Sequence, residues 1–183
     1  MALDCSLLTT DIGAYSDTTS KGFAQKAIIG NFSEIATKTL DLTNALVTDL
    51  TLASGKVAFE VLVKGVRPFE DLAITATERK TGMVFSNQIL IHQKGLTPTS
   101  SKIAKILSEG VFYMILTQLG EVGNAKYPAP GIQAGLKATA VEWSAEEGGF
   151  IVTLDETSAD LPLLFVWRTN IATTDALVEG LLT

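Results

Sequence analysis

Apolar and polar residues alternate along much of this chain with a period of two, the mark of strands that bury one face. Leu40-Asp41-Leu42-Thr43 and Asp49-Leu50-Thr51-Leu52 show it within the stretch Phe32–Leu52. Phe23–Ile29, Val57–Val63, Leu72–Arg79, Met83–His92, Gln133–Trp143, Phe150–Leu154 and Leu161–Trp167 also read as strands. Several of these are rich in the branched and aromatic residues that suit a pleated, half-buried surface. Turn-forming residues separate them: Gly30-Asn31, Ala53-Ser54-Gly55-Lys56, Lys80-Thr81-Gly82, Ser144 to Gly149 and Asp155 to Asp160. Pro68 marks Val66–Asp71 as a connection, because proline cannot donate to a sheet ladder.

One segment breaks the pattern. Ser100–Gly110 places Ile103, Ile106 and Leu107 on one face at helical spacing, with Ala104 beside them. Ser100 or Thr99 is expected to cap its start, and Gly110 to stop it in a left-handed conformation. Val111–Leu116 follows at once as a buried strand. With Ile106 in the apolar stripe, Ile106→Asp is expected to abolish folding, whereas Lys105→Glu spares it. A second, short helical stretch at Thr173–Gly180 is compatible with the tail. Short strands, glycine-rich turns and one packed helix predict a mainly β fold, a β-sandwich or barrel.

Leu72–Arg79 and Met83–His92 form a long hairpin with Gly82 near its tip. Its outer end, Thr77-Glu78-Arg79-Lys80, is polar and charged, with Phe85 close by. Two placements are open for it: a contact with a neighbouring subunit, or a position across its own sheet. Gly120–Gly131 has three glycines and two prolines in twelve residues and reads as a surface loop. Residues 1–22 are irregular and form an N-terminal arm, either reaching a neighbour or unstructured. Residues 23–183 then make a single β-rich domain.

Composition narrows the function classes. At 183 residues and 46% hydrophobic, the chain can bury a sizeable core. It has no run of about 18 apolar residues, so no membrane-spanning helix is expected. No basic, then apolar, signal segment is expected at its start either. The apolar excess is most simply absorbed by oligomerisation. A net charge of −6 argues against gripping phosphate backbones, which takes Lys and Arg.

Catalytic signatures are absent. Cys5 is the single cysteine and His92 the single histidine, which excludes a cysteine-based zinc cluster and an intrachain disulfide. Glu70-Asp71, Glu146-Glu147 and Asp155-Glu156 fall in expected turns and read as solvated charges. There is no Walker loop, dinucleotide fingerprint or nucleophile elbow. Trp143 and Trp167 could stack on sugars, but their apolar strand context favours core packing. The chain is therefore expected not to be an enzyme and to need no cofactor or metal.

The order of pieces resembles bacteriophage tail tube proteins and related virion proteins of phages infecting Bacteroidetes. The resemblance is carried by Met1-Ala2-Leu3-Asp4-Cys5 and by Gly22–Ile35. Gly135-Leu136-Lys137-Ala138 and Glu146–Leu154 carry it further along the chain. It implies a β-sandwich or barrel of tail-tube type with a long hairpin, assembling as stacked hexameric rings around a DNA channel. The partners implied are other copies of the chain, other tail proteins and DNA that passes without specific binding. The resemblance also implies that no membrane is involved and that the virion tail is assembled in the host cytoplasm. Under this resemblance the hairpin, the Gly120–Gly131 loop and the N-terminal arm make ring-to-ring contacts, with Arg79, Lys80, Phe85, Tyr127 and Pro128 as candidate interface residues. The helix becomes a pivot between two β halves, closing the sandwich. A capsid decoration or head-to-tail connector protein, and a carbohydrate-binding β-sandwich module, are the alternatives.

Overall fold

The computed structural model describes residues 23–24, 26–62, 72–80, 82–119, 123–146 and 148–183. The arm expected over residues 1–22 lies outside them, as do Glu70, Asp71 and Glu147. Within them the chain is mainly β with two helices. In order come β1 (Lys26–Asn31), a 3-10 turn (Phe32–Glu34), β2 (Ile35–Asp41), β3 (Leu46–Leu52), β4 (Phe59–Leu62), β5 (Leu72–Arg79) and β6 (Gly82–Lys94). These lead to α1 (Pro98–Glu109), β7 (Val111–Ile115), β8 (Leu136–Ser144), β9 (Gly149–Ala159), β10 (Phe165–Val166) and α2 (Ile171–Gly180).

Seven strands form one sheet in the order β4-β1-β7-β8-β9-β6-β5, and three form a second, β10-β3-β2. The alternation of apolar residues gives the large sheet two apolar faces. On one, Ala27, Ile29, Phe112, Met114, Leu136, Val152, Leu154, Ile89 and Ile91 make a first core with Ala104 and Leu107 of α1. On the other, Ile28, Tyr113 and Ile115 join Val47, Leu50, Val166 and Val178 in a second core beneath the small sheet and α2. The small sheet and α2, rather than α1, therefore close the sandwich, and α1 is an outer layer. Nor does α1 separate two β halves, since strands from before and after it interleave in the large sheet.

The helix begins earlier than expected. Thr97 caps it: its hydroxyl accepts from the Ser100 amide at 3.1 Å, and the Ser100 hydroxyl accepts from the Thr97 amide at 2.9 Å. Pro98 occupies the first helical position, where a missing N–H costs nothing. Its buried residues are Ser100, Ala104 and Leu107, while Ile106 is 52% exposed. Ile106 is thus outside the buried stripe, which removes the ground for expecting Ile106→Asp to abolish folding. Gly110 is extended (φ −89°, ψ 170°), not left-handed. Glycine is required there because a Cβ would meet the Phe112 ring at 2.6 and 2.9 Å.

Three further expectations change. Asp155 to Asp160 is not a turn: β9 runs on to Ala159, paired with β6 with one register shift beyond Thr157. Most of Leu161–Trp167 is irregular, and only Phe165–Val166 forms a strand, parallel to β3. The second half of the Gly120–Gly131 loop, residues 127–131, turns inward instead of lying on the surface, while Asn124 is exposed. The Pro130 and Pro128 carbonyls accept from Met114 and Leu116 at 2.9 Å, and the Tyr127 carbonyl accepts from Val166 at 2.8 Å. The prolines lack only donors, and this segment is held chiefly through its carbonyls. No helix among the described residues is long and apolar enough to cross a membrane.

Candidate functional site

The hairpin is present as expected, with β5 and β6 in unbroken antiparallel register from Leu72↔Ile89 to Arg79↔Gly82. β6 pairs with β9 inside the chain's own sheet, which leaves β5 at the sheet's end. Every residue of β5 after Leu72 is exposed. Residues opposite one another in an antiparallel pair share a face, so the pairs Leu72↔Ile89, Ile74↔Asn87, Ala76↔Phe85 and Glu78↔Met83 project from the face that carries the first core. Along it, Ile74 is 44% and Met83 53% exposed, and Phe85 is half-buried. The opposite face carries Ala73, Thr75, Thr77 and Arg79 with Gln88, Ser86 and Val84. The hairpin is therefore amphipathic, and its apolar stripe continues past the core, uncovered at Ile74 and Met83 among the described residues.

Of the expected interface residues, Arg79 and Lys80 sit exposed at the hairpin tip, with Phe85 further along β6. Tyr127 and Pro128 do not join them; both are buried, Tyr127 within the second core. The Tyr127 hydroxyl donates to Asp175 Oδ1 at 2.7 Å, and Lys126 Nζ reaches both carboxylate oxygens at 2.9 and 3.1 Å. Burial pushes the Asp175 carboxyl up, but these two hydrogen bonds outweigh it, and its pKa is lowered. For Lys126, burial works against the ammonium and Asp175 wins, so its pKa is raised. Both shifts describe one ion pair, which fastens α2 to the inward loop.

Glu156 was expected in a solvated turn and is instead the buried carboxylate among the described residues, 1% exposed on β9. Oε2 accepts from the Gly131 amide and from Asn87 Nδ2, each at 2.8 Å. Oε1 accepts from the amides of Gln133 and Ala134 at 2.9 and 2.7 Å. Lys38 Nζ, from the second sheet, donates to the Ile132 and Gln133 carbonyls at 2.8 and 3.1 Å. Burial lowers the Lys38 pKa, and Glu156 opposes that. The four donors leave Glu156 no oxygen free for a substrate, so its chemistry here is anchoring. The signal in the sequence was the alternation of Val152, Leu154 and Glu156, which places Glu156 on the buried face.

Other features carry less. Trp143 is 45% exposed, against the expected core packing, and meets Phe150 edge-on at 5.4 Å. Trp167 is half-buried. A cleft of about 380 Å³ lies between β3, the turn after it and α2. Its charges are already paired, Arg168 with Asp49 at 2.6 Å and Lys56 with Glu34 at 3.0 Å. Among the described residues no three His, Cys, Asp or Glu side chains gather as a metal site. No family model, curated protein or solved structure matches the chain.

Proposed function

We propose that the chain is a structural protein of a virion, a phage tail tube subunit that stacks in hexameric rings to line a DNA channel. The observation that carries this reading is the amphipathic hairpin, whose apolar stripe is exposed at Ile74 and Met83 and half-buried at Phe85 among the described residues, at the end of the large sheet. Soluble domains seldom leave a flat, uncharged edge strand bare unless a partner covers it. The net charge of −6 suits a channel that must not hold DNA, because like charge keeps the duplex sliding. In this reading the protein works without catalysis or cofactor, in the tail, alongside other tail proteins.

Electron microscopy and light scattering of the purified protein test the proposal. Tubes of repeated rings are expected. Single rings would favour a decoration or connector protein, and a strict monomer at high concentration would overturn self-assembly. The half-exposed Trp143 favours a second reading, a carbohydrate-binding module. Glycan binding lost in Trp143→Ala would establish it.

A further inference from the structure

We infer that β5 of one copy pairs through its backbone with β4 of the next, joining the large sheets head to tail. This rests on the self-assembly in the reading above and specifies the segments that meet. Among the described residues no strand pairs with the outer side of either β4 or β5. Natural edge strands are protected by charges, proline, bulges or a covering element. Ala73-Ile74-Thr75-Ala76-Thr77 has none of the first three: it is uncharged, proline-free and in regular register, and it is exposed on both faces. Glu78 and Arg79 stand only at its end. Such an edge offers a row of free backbone donors and acceptors to an incoming strand.

The partner is a second copy because the two edges match. All six neighbouring pairs in the large sheet are antiparallel, so β4 and β5 run in the same direction. A neighbour displaced sideways along the sheet brings β4 beside β5 as a parallel pair without inverting either sheet. The apolar faces also align. Phe59 pairs with Ile29, and Ile74 lies on the face of Ile89, so both belong to the face of the first core. Phe59 is 59% exposed, and a neighbour's Ile74 and Ala76 would cover it. An isologous β5–β5 contact would serve one edge and leave Phe59 bare. Head-to-tail contacts repeat, closing as rings or continuing as filaments.

Successive residues of an antiparallel strand direct their N–H groups alternately towards the partner and away from it. Of Thr75→Pro and Ala76→Pro, one therefore keeps the β5–β6 ladder and removes only an outward donor. The variant whose melting curve matches that of the wild type is expected to lose assembly where the wild type assembles. In a Cys5→Ser background, Phe59→Cys and Ala76→Cys chains are mixed and treated with a short bismaleimide. A mixed dimer is expected. Dimers of the Ala76→Cys chain alone would mean β5–β5 pairing and overturn the inference. A wild type that assembles, with a folded proline variant that assembles equally well and no mixed cross-link, would also overturn it while leaving the tail tube reading in place. A wild type that stays monomeric overturns both.

Discussion

Tyr113 lies over the bare backbone of Gly30, its register partner across β1 and β7. A Cβ at position 30 would meet the Tyr113 ring carbons at 2.5 Å, inside any real contact. Tyr113 is fully buried, so the ring has nowhere to retreat. Gly30→Ala is expected to destabilise the fold by about 1–3 kcal/mol, the usual cost of overpacking. Urea denaturation measures it, and a loss below about 0.5 kcal/mol would show that the ring moves freely.

The Tyr113 hydroxyl is buried with no hydrogen-bond partner among the described residues, and burial, aided by the Glu34 carboxylate, pushes its pKa up to about 12. In the unfolded chain the phenol ionises near its usual value of about 10. The folded state holds the proton longer, so stability is full below pH of about 10 and falls as pH rises towards 12. Tyr113→Phe removes an unsatisfied group and is expected to be at least as stable at neutral pH. It should also lessen the alkaline loss. The raised Tyr127, shifted first by burial and then by Asp175, keeps some of that loss in place. Thermal melts of both proteins from pH 8 to 11 check the sign.

At the acid end, the lowered pKa of Asp175 gives the opposite slope. The stability it contributes is complete above its unfolded value near 4 and is lost as pH falls through the lower folded value. Asp175→Asn is expected to flatten that part of the acid limb and to loosen α2. Hydrogen exchange across Ile171–Gly180 reports the second effect. An acid limb unchanged by the substitution would remove Asp175 from the explanation.

Ile106→Asp is expected to fold, at a cost under about 1 kcal/mol, because the side chain already faces water. Leu107→Ala, one residue on, deletes buried contacts with the first core and should cost about 2–5 kcal/mol. The order of the two melting temperatures decides the matter, and a reversed order would mean that the helix is rotated from its described position.

Glu156→Ala leaves the amides of Gly131, Gln133 and Ala134 and the side chain of Asn87 without their acceptor. Each buried donor stranded this way costs about 1–3 kcal/mol, and the whole should exceed the loss from Asn87→Ala. Loss of exchange protection at residues 131–134 is the local signature. A variant as stable as the wild type would assign the turn to other supports.

The strands were legible in the sequence because alternation is local, as in the hairpin from Leu72 to His92. The position of Glu156 was masked: the alternation from Val152 reaches it, but its acidic neighbour Asp155 and the nearby Thr, Ser and Asp resemble a turn. Only pairing with β6, far away in sequence, makes that stretch a strand. Ile106 failed for a related reason. Helical spacing gives a stripe, but the width of the stripe that is covered depends on the sheet beneath it. Tyr127 and Pro128 looked like loop tip residues because proline and glycine signal irregularity, which is distinct from exposure. The exposed stripe at Ile74 and Met83 became visible only with the register of β5 against β6.

The parallel contact between β10 and β3 joins Phe165 to Leu46 and Val166 to Val47. β3 is thus made early in synthesis and receives one of its two neighbours only when nearly the whole chain has emerged. Until then Val47 and Leu50 lack the β10 and α2 side of their enclosure, while the local hairpins β5–β6 and β8–β9 can already form. The local hairpins should therefore form ahead of the long-range pairings, the closure of the second core by β10 among them. Until β10 and α2 arrive, the nascent chain carries an unfinished apolar face around Val47 and Leu50.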